Sequence, residues 1–128
     1  MPLYMDSSAL VKLLVDEPES GALEAYTRGT ALITSVITLI EVDRSVRRNN
    51  RAGGISLGDF FDGVELRALD DAVVARAGSL EPPGLGTLDA IHLASALDLR
   101  AELDGFVTYD SRLADAARAL RLTVVSPA

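Results

Sequence analysis

Short apolar segments alternate with longer segments of helical spacing along this chain, and this alternation most constrains its fold. The strand-like segments are "LYM" before Asp6, "ALIT" (Ala31–Thr34), "VELRAL" (Val64–Leu69), "GFVTY" before Asp110, and "LTVV" near the end. Helices are predicted for "SALVKLLV" with Ser7 or Ser8 as N-cap, Glu19–Arg28, Val36–Arg48 opened by Ser35, Asp70–Gly78, Leu88–Leu99 and Ser111–Leu120, and Ser56–Phe61 is a short amphipathic segment. Strands that alternate with helices favour a parallel sheet covered on both faces. We therefore predict an α/β fold, a three-layer α/β/α sandwich with a central parallel sheet, in one domain over residues 1–128.

Composition excludes several classes of function. The chain has no cysteine, which removes disulfide frameworks, thiolate zinc sites and cysteine nucleophiles. No apolar run approaches the ~20 residues that span a bilayer, and Met1–Asp6 has no basic export signal, so we expect a cytoplasmic protein without a membrane partner. The net charge of −7 argues against a protein that coats nucleic acid through its overall charge.

Four carboxylates stand at unusual places in this pattern. Asp6 follows the first strand and Asp110 follows "GFVTY", and ligands collect beyond the carboxyl ends of parallel strands. Asp89 lies in the first turn of the helix "TLDAIHLASAL", and Glu41 lies inside the apolar segment "SVITLIEV". Each acid also has an ordinary interpretation. Asp6 and Asp110 can cap helices, Asp89 can oppose a helix dipole, and Glu41 can pair with Arg44.

Taken together, the four acids predict a site for a metal ion. A carboxylate at the edge of an apolar segment must be hydrogen-bonded, paired or metal-bound, because burying an isolated charge is costly. With no cysteine and a single histidine, the chemistry that fits is a hard cation such as Mg²⁺ or Mn²⁺, held by carboxylates and water. These four acids make up more than half of the net charge of −7, and a cation would offset their repulsion.

Other polar residues near the acids have less specific interpretations. His92, the only histidine, follows Asp89 by one helical turn and is interpreted as a structural residue, not as a catalytic one. Ser7 and Thr108 can orient a carboxylate or a metal-bound water, or simply satisfy backbone groups. Lys12, the only lysine, is expected to be a solvated helix residue.

A basic cluster follows Glu41 and is the densest in the chain. It comprises Arg44, Arg47, Arg48 and Arg51. The cluster can contact phosphate, or it can form helical ion pairs such as that of Asp43 with Arg47. Both interpretations remain open from the sequence.

The wording around the four acids resembles that of the PIN-domain nucleases over essentially the whole chain. The matching motifs are "YMDSSALVKLL", "SVITLIEVDRSVRR", "LDAIHLASAL" and "FVTYDSRLADAA", with Ser7 where many relatives have threonine. Within that family, the chain most resembles the toxin of a VapBC-type bacterial toxin–antitoxin pair.

The resemblance implies a divalent-metal-dependent endoribonuclease with a PIN-like fold that hydrolyses RNA through a metal-activated water. Asp6, Glu41, Asp89 and Asp110 would be its catalytic residues and metal ligands, with Asp6 and Asp89 the surest ligands. Asp115 is the candidate for a further acid. The implied partners are RNA, a cognate antitoxin protein and a second copy of the chain in a homodimer.

Two other classes of protein are alternatives to this interpretation. A receiver-like phosphoacceptor domain also has an acidic metal pocket, but it needs a lysine after a late strand, and the only lysine here is Lys12. A non-catalytic interaction module, in which the fold is kept and the acids are structural, stays open as the alternative.

Overall fold

The computed structural model describes residues 1–48 and 57–128, and within these ranges the strands form one parallel sheet. The strands are β1 (Leu3–Met5), β2 (Leu32–Ser35), β3 (Val64–Arg67), β4 (Gly105–Val107) and β5 (Val124–Val125). The helices are α1 (Ser7–Leu14), α2 (Ser20–Thr27), α3 (Thr38–Arg48), α4 (Leu57–Phe61), α5 (Asp71–Ser79), α6 (Thr87–Asp98) and α7 (Ser111–Ala119), with a 3-10 turn at Arg100–Glu102. The strand order is β3-β2-β1-β4-β5, and every pair is parallel.

The two faces of the sheet carry separate halves of the core. Successive strand residues point to opposite faces, so Leu3 and Met5 pack on one side and Tyr4 on the other. The core on the Leu3 side includes residues of α1, α2 and α3, and the core on the Tyr4 side includes residues of α6 and α7. The predicted three-layer α/β/α fold with a central parallel sheet is therefore confirmed.

The start of α3 differs from the prediction that Ser35 opens a helix at Val36. Ser35 is the last residue of β2, and the helix begins at Thr38. Sheet pairing continues one residue further than the apolar pattern suggests, because the Val36 N–H donates to the Arg67 carbonyl. The Ser35 hydroxyl accepts from the Ile37 N–H in the turn that follows.

The N-cap of α1 is also different from the predicted Ser7 or Ser8. The Asp6 carboxylate accepts from the Ala9 N–H, so Asp6 itself caps the helix. Asp70 and Asp110 cap α5 and α7 in the same way. An aspartate in extended backbone directly before a helix is well suited to this role.

Other boundaries are shorter than the sequence pattern predicts. β3 ends at Arg67, β4 ends at Val107, and only Val124 and Val125 of "LTVV" pair with the sheet. The described residues do not include the predicted helix-ending segment Asn49–Gly54, which contains Arg51, or Ser56. Within residues 1–48 and 57–128, no helix is both long enough and apolar enough to cross a membrane.

Candidate active site

Asp6 lies directly after β1 and is almost fully buried, with 2% of its surface exposed. Its Oδ1 accepts from the Ala9 N–H at 2.9 Å and from the Ser8 hydroxyl at 2.7 Å, and its Oδ2 accepts from the Thr108 hydroxyl. Burial raises the pKa of Asp6, while the hydroxyls of Thr108 and Ser8 act in the opposite direction. The carboxylate therefore costs free energy as an anion, which makes a nearby positive charge favourable.

Asp110 stands three residues beyond the end of β4, on the same sheet edge as Asp6. Its Oδ1 accepts from the Leu113 N–H at 2.9 Å as the cap of α7. Among the described residues, no hydrogen-bond donor contacts its Oδ2. Thr108 connects the two acids, since its hydroxyl donates to Asp6 and accepts from the Asp110 N–H at 3.1 Å. The capping interpretation is thus correct for both aspartates, and it leaves one oxygen of Asp110 without a donor from the part of the chain that the structure describes.

Asp89, in the first turn of α6, is half-buried and has no hydrogen-bond donor among the described residues. Burial raises its pKa first, and the negative charges of Asp110, Asp6 and Glu41 raise it further. The four predicted acids therefore act on one another electrostatically, although their positions in the chain span more than 100 residues.

Glu41, in the first turn of α3, is held by two donors from other helices. Its Oε2 accepts from the Ser7 hydroxyl at 3.2 Å, and its Oε1 lies 2.7 Å from Nε2 of His92. The ion pair with Arg44 that the sequence suggested is not formed in the structure, because the carboxylate faces α6 instead. The residue before it, Ile40, is 62% exposed, so α3 is less enclosed than "SVITLIEV" implies.

His92 is buried at 1% exposure and is satisfied on both ring nitrogens, as expected of a structural histidine. Its Nδ1 lies 2.8 Å from the Tyr4 hydroxyl, and its Nε2 faces Glu41. Sequence reasoning missed Tyr4 altogether. The available signal was a tyrosine in the fully apolar strand "LYM", because a buried phenol requires a polar partner.

The residues of this edge fit a hard cation in chemistry and charge. All four acids offer oxygen ligands, and no donor within residues 1–48 and 57–128 competes for Asp89 or for Oδ2 of Asp110. In residues 1–48 and 57–128, no three acidic or histidine side chains stand close enough together to enclose a metal ion by themselves. Mg²⁺ commonly uses one or two carboxylates and keeps several waters, so three protein ligands are not required.

Two residues named from the sequence lie elsewhere or behave differently. The Asp115 side chain is 82% exposed and pairs with Arg118 on α7, so it does not join the four acids. Lys12 is not solvated: its side chain is 11% exposed, and its ammonium contacts Glu17 and Glu19 at 3.2 and 2.9 Å. The same ammonium lies 4.8 Å from the centroid of the Tyr109 ring. The prediction that Lys12 is solvated was wrong because its partners lie outside its own helix. Glu17 and Glu19 follow α1, and Tyr109 follows β4, so helical spacing does not reveal them.

Two clefts open beside the acids and share Glu41 and Arg48. One has a volume of about 420 Å³ and includes Ser7, Lys12 and Tyr109 in its lining. The other, of about 260 Å³, is lined by Ile37, Ile40, Glu41, Arg44, Arg48 and Leu88. Larger cavities of about 560 and 670 Å³ lie against the loop at Glu81–Leu85, and none of the four acids lines them.

The predicted basic cluster divides between two roles. Arg44 and Arg48 line the clefts beside Glu41, whereas Arg47 is paired with Asp43 at 3.1 Å, as the ordinary interpretation suggested. Arg51 lies outside the described residues. Of the described members of this cluster, Arg44 and Arg48 are therefore the two that could meet an anion in the clefts beside Glu41.

Comparison with known proteins places this arrangement in a family. The PIN domain matches residues 3–119 of the chain. Ribonuclease VapC46 of Mycobacterium tuberculosis (strain ATCC 25618 / H37Rv) is 40% identical over 126 residues, covering 98% of this chain and 97% of the relative. Ribonuclease VapC47 of Mycobacterium tuberculosis (strain CDC 1551 / Oshkosh) is 37% identical over 131 residues, covering 98% and 96%.

Solved structures show the same fold. A toxin–antitoxin complex from Klebsiella pneumoniae contains a chain with a TM-score of 0.74 and 22% identity, with 98% of each chain covered. VapBC2 from Rickettsia felis, bound to a DNA fragment from its promoter, matches with a TM-score of 0.68 and 19% identity over the full length of both chains. The sheet order, the acidic edge and the full-length VapC relatives agree, and the chain belongs to the PIN-domain family.

Proposed function

We propose that this protein is a divalent-metal-dependent endoribonuclease that acts as the toxin of a bacterial toxin–antitoxin pair. The observation that carries the proposal is the position of the four acids at the carboxyl edge of the sheet, where Thr108 bridges Asp6 and Asp110, and where His92, one helical turn from Asp89, contacts Glu41. The names of the full-length relatives, ribonuclease VapC46 and VapC47, support ribonuclease activity within this family. We expect the protein to work in the cytoplasm.

The four acids would have different tasks toward Mg²⁺ or Mn²⁺. Asp89 and Asp6 are the expected principal ligands, with Asp110 and Glu41 completing the acidic site. Asp89 suits the task because its oxygens accept no hydrogen bond from any residue that the structure describes. When bound, the ion lowers the pKa of a water molecule and stabilises negative charge on the phosphoryl oxygens.

Asp110 is the carboxylate we expect to accept the proton of the attacking water. Its Oδ2 carries no hydrogen bond from the described residues, whereas both oxygens of Glu41 are already engaged by Ser7 and His92. A carboxylate oxygen without a protein donor can accept a hydrogen bond from a water molecule beside it. Hydrolysis would form a bond from the water oxygen to phosphorus and break the bond to O3′, which leaves a 5′-phosphate and a 3′-hydroxyl.

RNA must approach a protein with a net charge of −7, so local positive charge has to guide it. Arg44 and Arg48 line the clefts beside Glu41 and are the arginines we expect to contact phosphate. Weak overall attraction would favour an RNA loop whose shape fits the cleft.

The test is cleavage of 5′-labelled RNA by the wild type and by Asp89→Asn, with Mg²⁺ and then with excess chelator. Asp115→Asn is the matched control, because it makes the same chemical change on an exposed residue outside the site. We expect wild type and Asp115→Asn to cleave with Mg²⁺ and to stop with chelator, and Asp89→Asn to lose at least 100-fold in rate, roughly the size of effect expected for essential electrostatic groups.

Equal activity of Asp89→Asn and wild type would refute the assignment of the site. Cleavage that persists in chelator would refute metal dependence. Folded wild-type protein that binds RNA or a partner protein without cleaving RNA would favour the alternative, a non-catalytic interaction module.

The partner expected for a toxin is an antitoxin that covers the acidic edge. A small reading frame next to this one should encode it, and its product should inhibit cleavage when added in equimolar amount. We also expect the toxin to self-associate as a homodimer, which light scattering of the purified protein would show. A monomer would contradict this part of the proposal without affecting the catalytic part.

A further inference from the structure

A continuous hydrogen-bond chain runs from the core to the acidic site through Tyr4, His92 and Glu41. The Tyr4 hydroxyl lies 2.8 Å from Nδ1 of His92, and Nε2 of His92 lies 2.7 Å from Oε1 of Glu41. Tyr4 and His92 are 0% and 1% exposed, so water does not compete for these bonds. A histidine that served only the core would not need a partner among the site acids.

The chemistry of the end groups favours one direction for both hydrogen bonds. An ionised carboxylate can only accept, so the proton between His92 and Glu41 resides on Nε2. With a single ring proton on Nε2, Nδ1 is an acceptor to which the Tyr4 hydroxyl can donate. Burial raises the pKa of Tyr4, so its phenol keeps the proton that it donates.

Aromatic packing holds Tyr4, the first residue of the hydrogen-bond chain, in place. The Tyr4 ring stacks on Phe106 of β4 with centroids 5.4 Å apart and planes 6° from parallel. The same ring meets His92 edge-on, at 5.9 Å and 75°. The neighbouring strands β1 and β4 therefore fix the Tyr4 ring, and with it the direction of the Tyr4 hydroxyl.

Glu41 receives donors on both oxygens, which leaves its carboxylate little freedom to rotate. His92 holds Oε1, and Ser7, which directly follows Asp6, holds Oε2. His92 is also one turn from Asp89 on α6. The hydrogen bonds of Glu41 therefore link α3 to α6, which carries Asp89, and to α1, which follows Asp6.

We propose that Tyr4 and His92 are positioning residues that orient Glu41: Tyr4 holds His92 in the Nε2–H tautomer, and His92 uses that proton to fix the Glu41 carboxylate. The catalytic consequence rests on the proposed ribonuclease function, whereas the tautomer and the hydrogen bonds do not. A partner of this kind around a metal site typically changes metal affinity or activity about 10–100-fold when it is removed.

The single histidine makes the tautomer directly measurable. In protein labelled with ¹⁵N-histidine, one ring gives two nitrogen resonances, with no other histidine to overlap them. At neutral pH and without metal, we expect Nε2 in the protonated range and Nδ1 in the unprotonated range. A spectrum with the proton on Nδ1, or with protons on both nitrogens, overturns the proposal.

Two variants test the two bonds separately by the same spectrum. Tyr4→Phe keeps the stacking ring but removes the hydroxyl, so the Nδ1 resonance should move toward that of a nitrogen without a hydrogen bond. Glu41→Gln replaces the ionised acceptor, so the Nε2 resonance should shift instead. Absence of either shift in a folded variant shows that the corresponding bond does not exist in solution.

Activity is then compared between His92→Gln and His92→Asn. The longer glutamine can place an amide N–H near the position of Nε2 and donate to Glu41, whereas asparagine is too short. We expect kcat to fall 10–100-fold in His92→Asn and to be largely restored in His92→Gln, with similar melting temperatures for the two. Wild-type kcat in folded His92→Asn, or equal losses in both variants, refutes the positioning role. If wild type fails to cleave RNA, the proposed function fails, while the nitrogen spectra still decide the hydrogen-bond chain.

Discussion

Thr108 donates a hydrogen bond to Oδ2 of Asp6 and thereby joins the ends of the two central strands, β1 and β4, at the acidic edge. Both residues are nearly inaccessible to solvent, with exposed fractions of 0% and 2%. The bond supplies one of the donors that offset the cost of burying the carboxylate.

Removing this donor should destabilise the fold. Thr108→Val keeps the shape of the side chain but leaves Oδ2 of Asp6 without its buried partner, at a cost of about 1–3 kcal/mol in the free energy of unfolding. Urea denaturation followed by circular dichroism measures it. Thr108→Ser keeps the hydroxyl and serves as control, so equal losses in the two variants would mean that the methyl group, and not the hydrogen bond, is responsible.

Asp89→Asn should stabilise the metal-free protein at neutral pH, on the order of 1 kcal/mol, because it removes repulsion from Asp110, Asp6 and Glu41. The pKa of Asp89 in the fold lies above its usual value of 3.8, so the folded protein binds the proton more tightly than the unfolded chain. The cost of the ionised Asp89 is fully present above the folded pKa and disappears as the pH falls to 3.8.

The stability difference between Asp89→Asn and wild type should therefore shrink as the pH is lowered. Thermal unfolding in chelator between neutral pH and pH 4 measures this difference, and taking a difference cancels the other carboxylates. A difference that stays constant over that range would show that Asp89 has an ordinary pKa. Adding Mg²⁺ should stabilise wild type more than the variant, since only a state that binds the ion gains from it.

Arg48→Ala should weaken RNA binding, because Arg48 lines both clefts beside Glu41. Loss of one phosphate contact lowers the slope of log K against log salt by about 0.7 for a single strand. Fluorescence anisotropy at several salt concentrations in chelator measures binding without cleavage. Arg47→Ala is the matched control, since Arg47 is paired with Asp43 on the same helix. If Arg48→Ala and Arg47→Ala give identical salt slopes, Arg48 does not contact phosphate and the cluster has only a structural role.

Lys12→Met should lower the free energy of unfolding by about 1 kcal/mol, because it removes the ammonium held between Glu17 and Glu19 while keeping most of the buried stem. The loss should become smaller at high salt, where unpaired glutamates repel each other less. Urea denaturation at low and high salt measures both effects. An unchanged midpoint would mean that Lys12 behaves as the solvated residue that the sequence suggested.

Local sequence signals were sufficient for the order of elements and for the positions of the acids. Alternation of apolar and helical segments predicts the parallel sheet, because each signal depends on residues a few positions apart. Asp6 and Asp110 follow β1 and β4, and the edge that they share follows from the rule that parallel strands end together. Glu41 and Asp89 were expected at the same site because a carboxylate at the edge of an apolar segment needs a partner, and the motifs that resemble those of PIN-domain nucleases indicated the same four residues.

Side-chain partners were decided by the tertiary structure alone. His92 and Glu41 are 51 positions apart, and Tyr4 and His92 are 88 apart, so no periodicity connects them. Lys12 and Asp115 also show that sequence spacing does not reveal side-chain partners. Both are charged residues within predicted helices, yet packing buries Lys12 beside acidic residues and leaves Asp115 exposed to solvent. The chain by itself determined which segments form strands and helices, because that choice depends on neighbours in sequence. Which side chains meet across the sheet edge depended on how the layers pack, because contacts between distant segments form only in the folded protein.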